Sequence, residues 1–472
     1  MSLLIYMQKL LYINGESFKL CIIVCTKENR KTFTYKSIEL ISQACYNTHC
    51  QNEKIKCSLR SAIRRLFYSL FLVQEVSMTQ ESSAKVSFIM VVFLGLLTAI
   101  TPLATDLYLP ALPIMPGELN TTASNIQMTI GVMTFGVALG QLFGGPISDT
   151  MGRKMPLVVG NLLCVISSII CAYAPSIEIL LLGRFLQGLT GSIGVVISKA
   201  IARDFASGQE LTKLFALLMM VNGLAPVIAP LIGGQLLLFT TWRVIFIILA
   251  VFSVILLVGS LLFRESLPKE KRVTGGLATA AKNYLTLIKD KRFLGQSLIQ
   301  FFAFGAFFAY ISGSSFVYQN IFQLSAQEFS YLFGINSCGI ILASAISGRI
   351  SSVVTSRQLL TFSLWQLTTG ALLFLVAMIF KWPLIPVTTI LFFTVCTVSL
   401  FGSASFSMAM TNYGKMAGSA SAILGFASMF AAGIVSPLVG IGGGHTGVPM
   451  GITMLVCAAL SLLCLYGLVE KE

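Results

Sequence analysis

The stretch that decides the fold of this chain is Gly145-Pro146-Ile147-Ser148-Asp149-Thr150-Met151-Gly152-Arg153-Lys154. It lies between two apolar runs, residues 126–143 and 157–174, neither of which contains a charged residue. Each run is about 18 residues long, enough to cross a hydrocarbon core of roughly 30 Å at about 1.5 Å per residue. We therefore expect a short, glycine-rich and charged loop between two membrane-spanning helices.

The composition places the chain in a membrane. Hydrophobic residues make up 56% and charged residues 11% of its 472 residues, whereas charged residues make up about 25% of an ordinary soluble domain. From Val86 onward there are twelve apolar runs, at positions 86–114, 124–145, 156–174, 177–198, 213–238, 242–263, 294–318, 329–350, 358–380, 384–408, 416–440 and 447–468. We predict an all-α membrane protein with twelve transmembrane helices.

Lysine and arginine lie mostly on one side of these spans. If the N-terminus is inside, the inner side holds Lys85, Arg153, Lys154, Lys199, Arg203, Lys213, the basic residues from Arg264 to Arg292, Arg349, Arg357, Lys415 and Lys471. The outer side holds Arg243 and Lys381. Because basic loops tend to stay in the cytoplasm, the bias predicts that both termini are cytoplasmic and that the number of spans is even. The net charge of +14 therefore reports topology, and we expect no nucleic-acid partner.

Cysteine and histidine give no sign of a metal or catalytic centre. Six of the eleven cysteines lie inside apolar runs: Cys164, Cys171, Cys338, Cys396, Cys457 and Cys464. A free cysteine there behaves as a small hydrophobic residue. With only two histidines, His49 and His445, a histidine-based metal site or catalytic triad is excluded. There is also no phosphate-binding loop for ATP. We expect a protein that is not an enzyme and uses no metal or cofactor.

Composition divides the chain into four segments. Residues 1–77 mix short apolar pieces with polar residues, and Met78 is followed by a short polar start. We expect 1–77 to be either an upstream extension that precedes the true start or a disordered cytoplasmic arm. Residues 78–263 form a first six-helix half, 264–293 a basic cytoplasmic linker, and 294–472 a second six-helix half. The basic linker predicts an amphipathic helix on the anionic inner membrane surface.

The two halves look like a distant repeat. The segment 348–357 occupies the place in the second half that 145–154 occupies in the first. Ser352 stands where the first copy has Asp149, so the second copy is degenerate. Two six-helix halves related as parallel repeats are a known transporter architecture.

Several motifs resemble those of one family. Residues 145–154 resemble the signature between spans two and three of the major facilitator superfamily, and 180–188 (LLLGRFLQG) resemble its span-four signature. Residues 223–234 (GLAPVIAPLIGG) are similar to the span-five motif of drug/proton antiporters. Residues 105–113 (TDLYLPALP) and 202–205 (ARDF) resemble the Bcr/CflA subgroup of drug-efflux proteins. The resemblance covers the chain from Met78 to its C-terminus and implies the major facilitator fold and proton-coupled drug export.

Asp106 and Arg184 are the candidates for proton coupling. Asp106 is an isolated acid within span one, and a carboxylate buried in a span is costly and usually functional. At about 1.5 Å per residue, Asp106 is expected roughly 14 Å and Arg184 roughly 10 Å from the outer ends of their spans. At similar depths, Arg184 can control whether Asp106 keeps its proton. The alternative is a buried ion pair that only fixes helix packing.

Gln187 lies one helical turn from Arg184 and shares its helix face. We expect its amide to orient Arg184 or to bind substrate. The alternative is a hydrogen bond that only joins two helices.

The residues of the 145–154 segment are expected to form a conformational gate. Asp149 and Arg153 would bind the ends of neighbouring helices in one state and release them in the other, while Gly152 lets the backbone turn. The full candidate set is Gly145, Asp149, Gly152, Arg153 and Lys154.

The span-five motif is expected to bend its helix and to allow close packing against a neighbour. Its candidate residues are Gly223, Pro226, Pro230, Gly233 and Gly234. The resemblance associates this motif with export rather than uptake.

An aromatic and amide-bearing group is expected to bind the transported compound. Aromatic side chains suit planar lipophilic compounds, and methionine adapts to varied shapes. Besides Gln187, the candidates are Met219, Asn222, Phe301, Phe302, Tyr310 and Asn336. The alternative for each is helix packing or a lipid-facing position.

These features and the resemblance together predict a monomeric, multi-pass protein of the bacterial inner (plasma) membrane. It would contact membrane lipids and export small lipophilic antibiotics in exchange for protons. Some antiporters of this kind carry a second acid in span one, but residues 86–105 contain none, which leaves the proton stoichiometry open. The alternatives are a major facilitator carrier for an endogenous metabolite and a membrane sensor that binds ligand without transport.

Overall fold

The computed structural model describes residues 8–13, 16–21, 88–273, 276–350, 353–413 and 416–469. In the unit formed by Met1–Ser83, strands β1 (Gln8–Ile13) and β2 (Glu16–Cys21) pair as an antiparallel hairpin. The remainder of residues 1–77 lies outside the described residues, and the expectation of an extension or an arm stays a prediction.

The unit formed by Ala84–Glu472 contains the twelve long apolar helices predicted from the hydropathy pattern. Those of the first half are α1 (Phe88–Asp106), α2 (Ala123–Met151), α3 (Lys154–Ala172), α4 (Ile177–Phe205), α5 (Gly208–Leu236) and α6 (Trp242–Leu262). Those of the second half are α7 (Lys291–Phe316), α8 (Ala326–Ile350), α9 (Ser356–Ile379), α10 (Leu384–Asn412), α11 (Ala417–Val439) and α12 (Val448–Gly467). The predicted all-α fold class with two six-helix halves is confirmed.

The 145–154 segment is helical over most of its length, and the expectation of a loop there was wrong. Helix α2 runs on to Met151, and the turn is confined to Gly152, whose φ of 94° suits glycine. Hydropathy marks where a helix leaves the hydrocarbon, not where its hydrogen bonding ends. Pro146, inside α2, leaves the carbonyl of Leu142 without its helical donor. The hydroxyl of Tyr284 donates to that carbonyl instead, at 2.8 Å.

Helix α1 ends at Asp106, earlier than the apolar run predicted. Leu107 and Tyr108 form a turn, and a short 3-10 helix over Leu109–Ala111 follows, because Pro110 cannot donate a helical hydrogen bond. Asp106 therefore lies at a helix end rather than about nine residues inside a continuous helix. This end of α1 is close to the side of the protein opposite the linker.

Side-chain hydrogen bonds between the two halves are concentrated toward one side of the protein. We call the side of residues 264–290 the linker side and the opposite side the far side. Among the described residues, the side-chain hydrogen bonds between the halves lie at the far side or at mid-depth: Ser124 to Pro437, Gln319 to Pro110, Gln327 to Gly234, Gln235 to Tyr331 and Ser337 to Pro226. The structure is therefore closed at the far side.

Close helix packing holds the first half together. A Cβ on Gly136 of α2 would overlap the carbonyl oxygen of Phe185 on α4, and one on Gly140 would overlap that of Leu189. Glycine at these positions lets the two backbones approach, as in other membrane bundles. Gly131 faces the backbone of Gly433 on α11 in the same manner.

The linker contains a helix over Gly276–Lys289, the linker helix, which contacts α2, α7 and α11. Its buried residues include Ala280 and Leu287, while Leu277, Leu285 and Ile288 are exposed. An exposed apolar stripe beside lysines fits the amphipathic helix that the sequence predicts. Its contact with lipid stays a prediction.

Candidate functional site

Asp106 is 4% exposed, although it carries an ionisable group inside the spanning region. Its position at the end of α1 puts its carboxylate beside the turn formed by Leu107 and Tyr108. The carbonyl of Leu107 packs directly against Gly233 of α5. Backbone packing thus fixes the place of the acid.

Arg184 of α4 is fully buried and holds the chain on both sides of Asp106. Its Nη1 donates to the carbonyl oxygen of Ala104 at 2.9 Å. Its guanidinium carbon lies 4.3 Å from the centre of the Tyr108 ring and 5.6 Å from that of Phe246. Arg184 and the Asp106 segment therefore lie at the same depth.

Arg184 does not form an ion pair with Asp106 among the described residues. Instead, its Nε and Nη2 groups are buried and have no hydrogen-bond partner within that part of the chain. Buried unpaired donors are rare in native structures and ask for an explanation. The alternative of a static ion pair that fixes helix packing is therefore wrong for this conformation.

The amide of Gln187 is engaged at both ends inside the first half. Its Oε1 accepts from Nη1 of Arg184 at 2.6 Å, and its Nε2 donates to the hydroxyl of Ser168 at 2.9 Å. In this conformation Gln187 orients Arg184 and joins α4 to α3. A substrate contact for Gln187 stays a prediction.

Tyr310 and Asn336 form the opposite wall from the second half. Asn336 Nδ2 donates to the Tyr310 hydroxyl at 2.8 Å, and both side chains are buried. Tyr310 stacks on Phe333 with ring centres 5.7 Å apart. The short 3-10 helix that follows Asp106 contacts both α7, which carries Tyr310, and α8, which carries Asn336. The structure thus brings Asp106, Tyr310 and Asn336 to one region.

Phe301 and Phe302 lie elsewhere, about nine residues or roughly 14 Å along α7 from Tyr310. Their rings meet edge to face with centres 5.0 Å apart. Phe301 also contacts Phe430 of α11, and Phe430 contacts Phe135 of α2. This aromatic group joins the two halves, and the structure does not bring it together with Tyr310 and Asp106.

Met219 and Asn222 are exposed on α5. They precede Pro226 by seven and four residues and so share its helix face. Pro226 is where α5 meets α8, since its carbonyl accepts from the hydroxyl of Ser337 at 3.2 Å. Met219 and Asn222 therefore lie on the face directed at the other half, on the linker side of the last direct hydrogen bond described between α5 and α8.

The span-five motif works through its backbone. Pro230 has no N–H, which leaves the carbonyl of Pro226 free for Ser337. A Cβ on Gly233 would overlap Leu107, and one on Gly234 would overlap Ser330 of α8, so both glycines are needed for close packing. A Cβ on Gly223 would meet nothing within 4 Å. Gly223 is thus the one member of the set whose packing does not require glycine.

A charged network lies on the linker side around Arg153. Its guanidinium binds Asp149 at 2.5 Å and Asp204 at 3.0 Å. Burial alone would lower the pKa of Arg153, but the hydrogen bonds to Asp204 and Asp149 outweigh it and raise that pKa above its ordinary value. Asp149 and Arg153 thus join α2 to the end of α4.

Glu265 of the linker closes this network. Its carboxylate accepts from the backbone N–H groups of Arg153, at 2.8 Å, and Lys154, at 3.2 Å, where α3 begins. It also lies 3.6 Å from the guanidinium of Arg272. Burial opposes ionisation, yet backbone donors and Arg272 prevail and hold the pKa of Glu265 below its ordinary value. The Nζ of Lys154 donates to the carbonyl of Leu261 at 2.8 Å.

Sequence reasoning missed three residues of these sites. Asp204 lies in the 202–205 motif, where an Arg-Asp pair at the end of a span signals an ion-pair partner. Glu265 lies within a mostly basic segment, whose net charge conceals an individual acidic residue. Tyr108 carries no charge, and only its place two residues after Asp106 could have marked it.

Known proteins resemble this chain in sequence. Residues 94–437 match the family model described as Major Facilitator Superfamily. The chain is 40% identical over 382 residues to the Bacillus subtilis protein named "Uncharacterized MFS-type transporter YdgK", covering 80% of this chain and 95% of that protein. It is 31% identical to a Haemophilus influenzae protein named "Bicyclomycin resistance protein homolog", covering 82% and 98%. It is 29% identical to a "Chloramphenicol resistance protein" of Pseudomonas aeruginosa, covering 57% and 64%.

Solved structures share the fold. The nucleoside transporter NupG superposes with a TM-score of 0.66 at 13% identity, covering 80% of this chain and 98% of that one. A D-xylose-proton symporter gives 0.61 at 15% identity, covering 81% and 97%. At such identities the likeness concerns the fold alone.

Proposed function

The chain belongs to the major facilitator superfamily, and from that premise we propose that it exports lipophilic antibiotics from a bacterial cell in exchange for protons. It is a multi-pass membrane transporter and not an enzyme. The resemblance to Bcr/CflA drug/proton antiporters agrees with relatives named for bicyclomycin and chloramphenicol resistance. What we propose is the direction of transport, its coupling to protons and the class of compound transported.

The observation that carries the proposal is a buried carboxylate, Asp106, in a segment whose flanks Ala104 and Tyr108 contact Arg184, two donors of which are unpaired among the described residues. Burying an ionisable group in a spanning region costs free energy, so such a group usually has a function. When Asp106 holds a proton, Arg184 rests on the Ala104 carbonyl and the Tyr108 ring. When the proton leaves, Nε and Nη2 of Arg184 are the donors that can receive the carboxylate. Asp106 carries the proton and Arg184 senses its loss.

The conformation described here is closed on the far side, and the bias in basic residues assigns the linker side to the cytoplasm. A drug would enter from the cytoplasm or the inner leaflet while Asp106 releases its proton inward. The halves then rock, exposing the region of Asp106 and Tyr310 to the outside. A proton returns to Asp106, the drug leaves, and the protonated carrier resets.

The network of Arg153 with Asp149 and Asp204 is the proposed gate on the linker side. It joins α2 to α4 in this conformation. Glu265 of the linker accepts a hydrogen bond from the backbone N–H of Arg153, and the linker leads to the second half. The linker would move as the halves rock, so we expect the strength of the Glu265 contacts to affect the balance between the two states.

Everted membrane vesicles energised to acidify their interior test the proposal. The compounds to add are phenicols, bicyclomycin, sulfonamides and the lipophilic cation ethidium, and the pH gradient is recorded. A compound that dissipates the gradient with the native chain, but not with Asp106→Asn, supports proton-coupled export and names a substrate. No response to any compound, with the protein confirmed in the membrane, would refute drug export and favour a metabolite carrier.

A further inference from the structure

A second polar group lies between α7 and α10, on the linker side of Tyr310. Its members are Gln296, Ser297 and Gln300 of α7 and Ser405 of α10, which are 5%, 7%, 8% and 0% exposed. In each of them a side-chain oxygen is buried without a hydrogen-bond partner in the described parts of the chain. We call these four residues the α7–α10 cluster.

An aromatic contact sets the level at which the two helices face each other. The rings of Phe304 on α7 and Phe401 on α10 lie 5.3 Å apart. Gln300 precedes Phe304 by four residues and Ser405 follows Phe401 by four. Because the helices are antiparallel, both positions lie one helical turn, about 6 Å, toward the linker side. Gln300 and Ser405 therefore occupy facing surfaces at one level.

A second contact fixes the helix face further down. Phe293 of α7 meets Tyr413, just beyond α10, with ring centres 5.1 Å apart. Gln296 and Ser297 follow Phe293 by three and four residues and share its face. Both therefore point toward α10 with Gln300.

The two serines are unusual among the buried serines of this protein. Ser428 and Ser436 of α11 donate to the carbonyls four residues earlier, at 2.9 and 2.8 Å. Serine in a helix ordinarily makes this bond. Ser297 and Ser405 do not, and their hydroxyl oxygens are unpaired within the described residues. These hydroxyl groups are available to another partner.

The chemistry of the cluster is neutral. Beyond Arg292, neither α7 nor α10 carries a charged side chain. The unpaired atoms are two amide oxygens and two hydroxyl oxygens, which accept hydrogen bonds from hydroxyl or amide N–H groups. Leaving several such acceptors unpaired is unfavourable, and native proteins pair them with water or with ligand.

We infer that the α7–α10 cluster is a second subsite of the transport path, which binds an uncharged hydroxyl or amide group of the transported compound. The inference rests on the proposed function and names a substrate class for it: compounds with a hydroxyl or amide N–H group. Gln300 lies ten residues, about 15 Å, from Tyr310 toward the linker side. A compound that enters from that side meets the cluster before it reaches Asp106.

Thiamphenicol and florfenicol test the subsite, because they differ by one hydroxyl that florfenicol replaces with fluorine. Vesicle experiments with the full chain compare the concentrations of each that half-dissipate the pH gradient. The variants are Gln300→Met, which keeps length and removes the amide, and Ser405→Ala. Ser428→Ala is the matched control, since Ser428 bonds its own helix. Ethidium, which has no hydroxyl or amide and whose only donors are two aryl amino groups, reports intact transport.

We expect Gln300→Met and Ser405→Ala to raise the half-effective concentration of thiamphenicol about tenfold, the equivalent of one well-placed hydrogen bond. Ethidium should respond as before, and Ser428→Ala should match the native chain. A smaller effect on florfenicol identifies the differing hydroxyl as the bound group, and an equal effect identifies the amide or remaining hydroxyl.

Three outcomes would overturn the subsite. Unchanged phenicol responses in both variants would assign the cluster to ordered water. Equal losses for ethidium and the phenicols would assign it to structure. A native chain that responds to ethidium and not to phenicols would refute the substrate class and leave drug export standing. Only the absence of every response, ethidium included, would refute the proposed function as well.

Discussion

The guanidinium of Arg184 lies 4.3 Å over the ring of Tyr108, two residues after Asp106 in the chain. Through Ala104 on one side and Tyr108 on the other, Arg184 contacts both flanks of the acid without contacting its carboxylate. A movement of Arg184 would therefore reach Asp106 through the Ala104 carbonyl and the Tyr108 ring. This arrangement suits a switch better than a permanent ion pair would.

Asp106→Asn should reduce proton-driven transport to background, because an amide cannot carry the proton. The side chain keeps its size, so the protein should still insert. Vesicle pH-gradient measurements with the amount of inserted protein determined by blotting check this. Active drug export by Asp106→Asn would rule out Asp106 as the proton carrier.

Arg184→Ala should impair coupling more than Arg184→Lys, which keeps a charge. Alanine also leaves Gln187 Oε1 without its donor, and an unpaired buried acceptor costs about 1–3 kcal/mol. Denaturation in detergent should show this loss, and vesicles should show the loss of transport. Equal transport by the two variants would argue against a role for the charge.

Tyr108→Phe and Tyr108→Leu separate the ring from the hydroxyl. The hydroxyl bonds Thr129 Oγ1 at 3.0 Å, so phenylalanine should cost about 1 kcal/mol in stability and leave transport near normal. Leucine removes the aromatic face under Arg184, which contributes about 0.5–2 kcal/mol, and should weaken transport. If leucine transports as well as phenylalanine does, the ring does not position Arg184.

Two glycines of the span-five motif should respond oppositely to alanine. At Gly233 the added methyl group would overlap the Leu107 carbonyl, next to Asp106, so both stability and transport should fall. At Gly223 nothing lies within 4 Å, and alanine should stabilise the helix by about 0.5–1 kcal/mol. Melting temperatures in detergent and vesicle assays compare the pair. Identical effects at both positions would refute the packing role of Gly233.

Glu265→Gln should show a pH-dependent loss of stability. The folded protein holds the pKa of Glu265 below its ordinary value of 4.5, so the ionised carboxylate stabilises the fold above that pH. The stabilisation disappears as the pH falls through the lowered pKa. Because the carboxylate caps the start of α3, its removal at pH 7 should cost about 1 kcal/mol. Melting curves of both proteins at pH 7 and at a pH well below 4.5, under the lowered pKa, check this, and a difference that persists at that acidic pH would contradict it.

The hydropathy pattern was enough to predict the number and order of the spanning helices, because each must cross the same thickness of hydrocarbon. It failed at helix ends. The apolar run of α1 continues past Asp106, but Pro110 changes the hydrogen bonding there. Helix α2 continues to Met151 after its apolar run ends. Both helix ends depend on backbone hydrogen bonds, which hydropathy does not report.

The candidate site was predictable in part. Two opposite charges at similar depths indicated that Asp106 and Arg184 share a level, and Arg184 does reach the Asp106 segment. The hydrogen-bond partner that Arg184 has on this segment is the backbone carbonyl of Ala104. Every residue has a backbone carbonyl, so the sequence does not indicate which one Arg184 binds. Phe301 and Tyr310 belong to one aromatic run in the sequence. That they lie apart became evident only from their positions along α7 in the structure.

The bond between Ser337 and the Pro226 carbonyl exists because Pro230 left that carbonyl free. Such bonds contribute about 0.5–1.5 kcal/mol each, so the few described between the halves together add only a few kcal/mol to the close packing of Gly131 on Gly433. A proton that crosses the membrane releases about 2.3 kcal/mol per 100 mV. On the proposed mechanism, one or two protons would therefore supply enough free energy to break these hydrogen bonds.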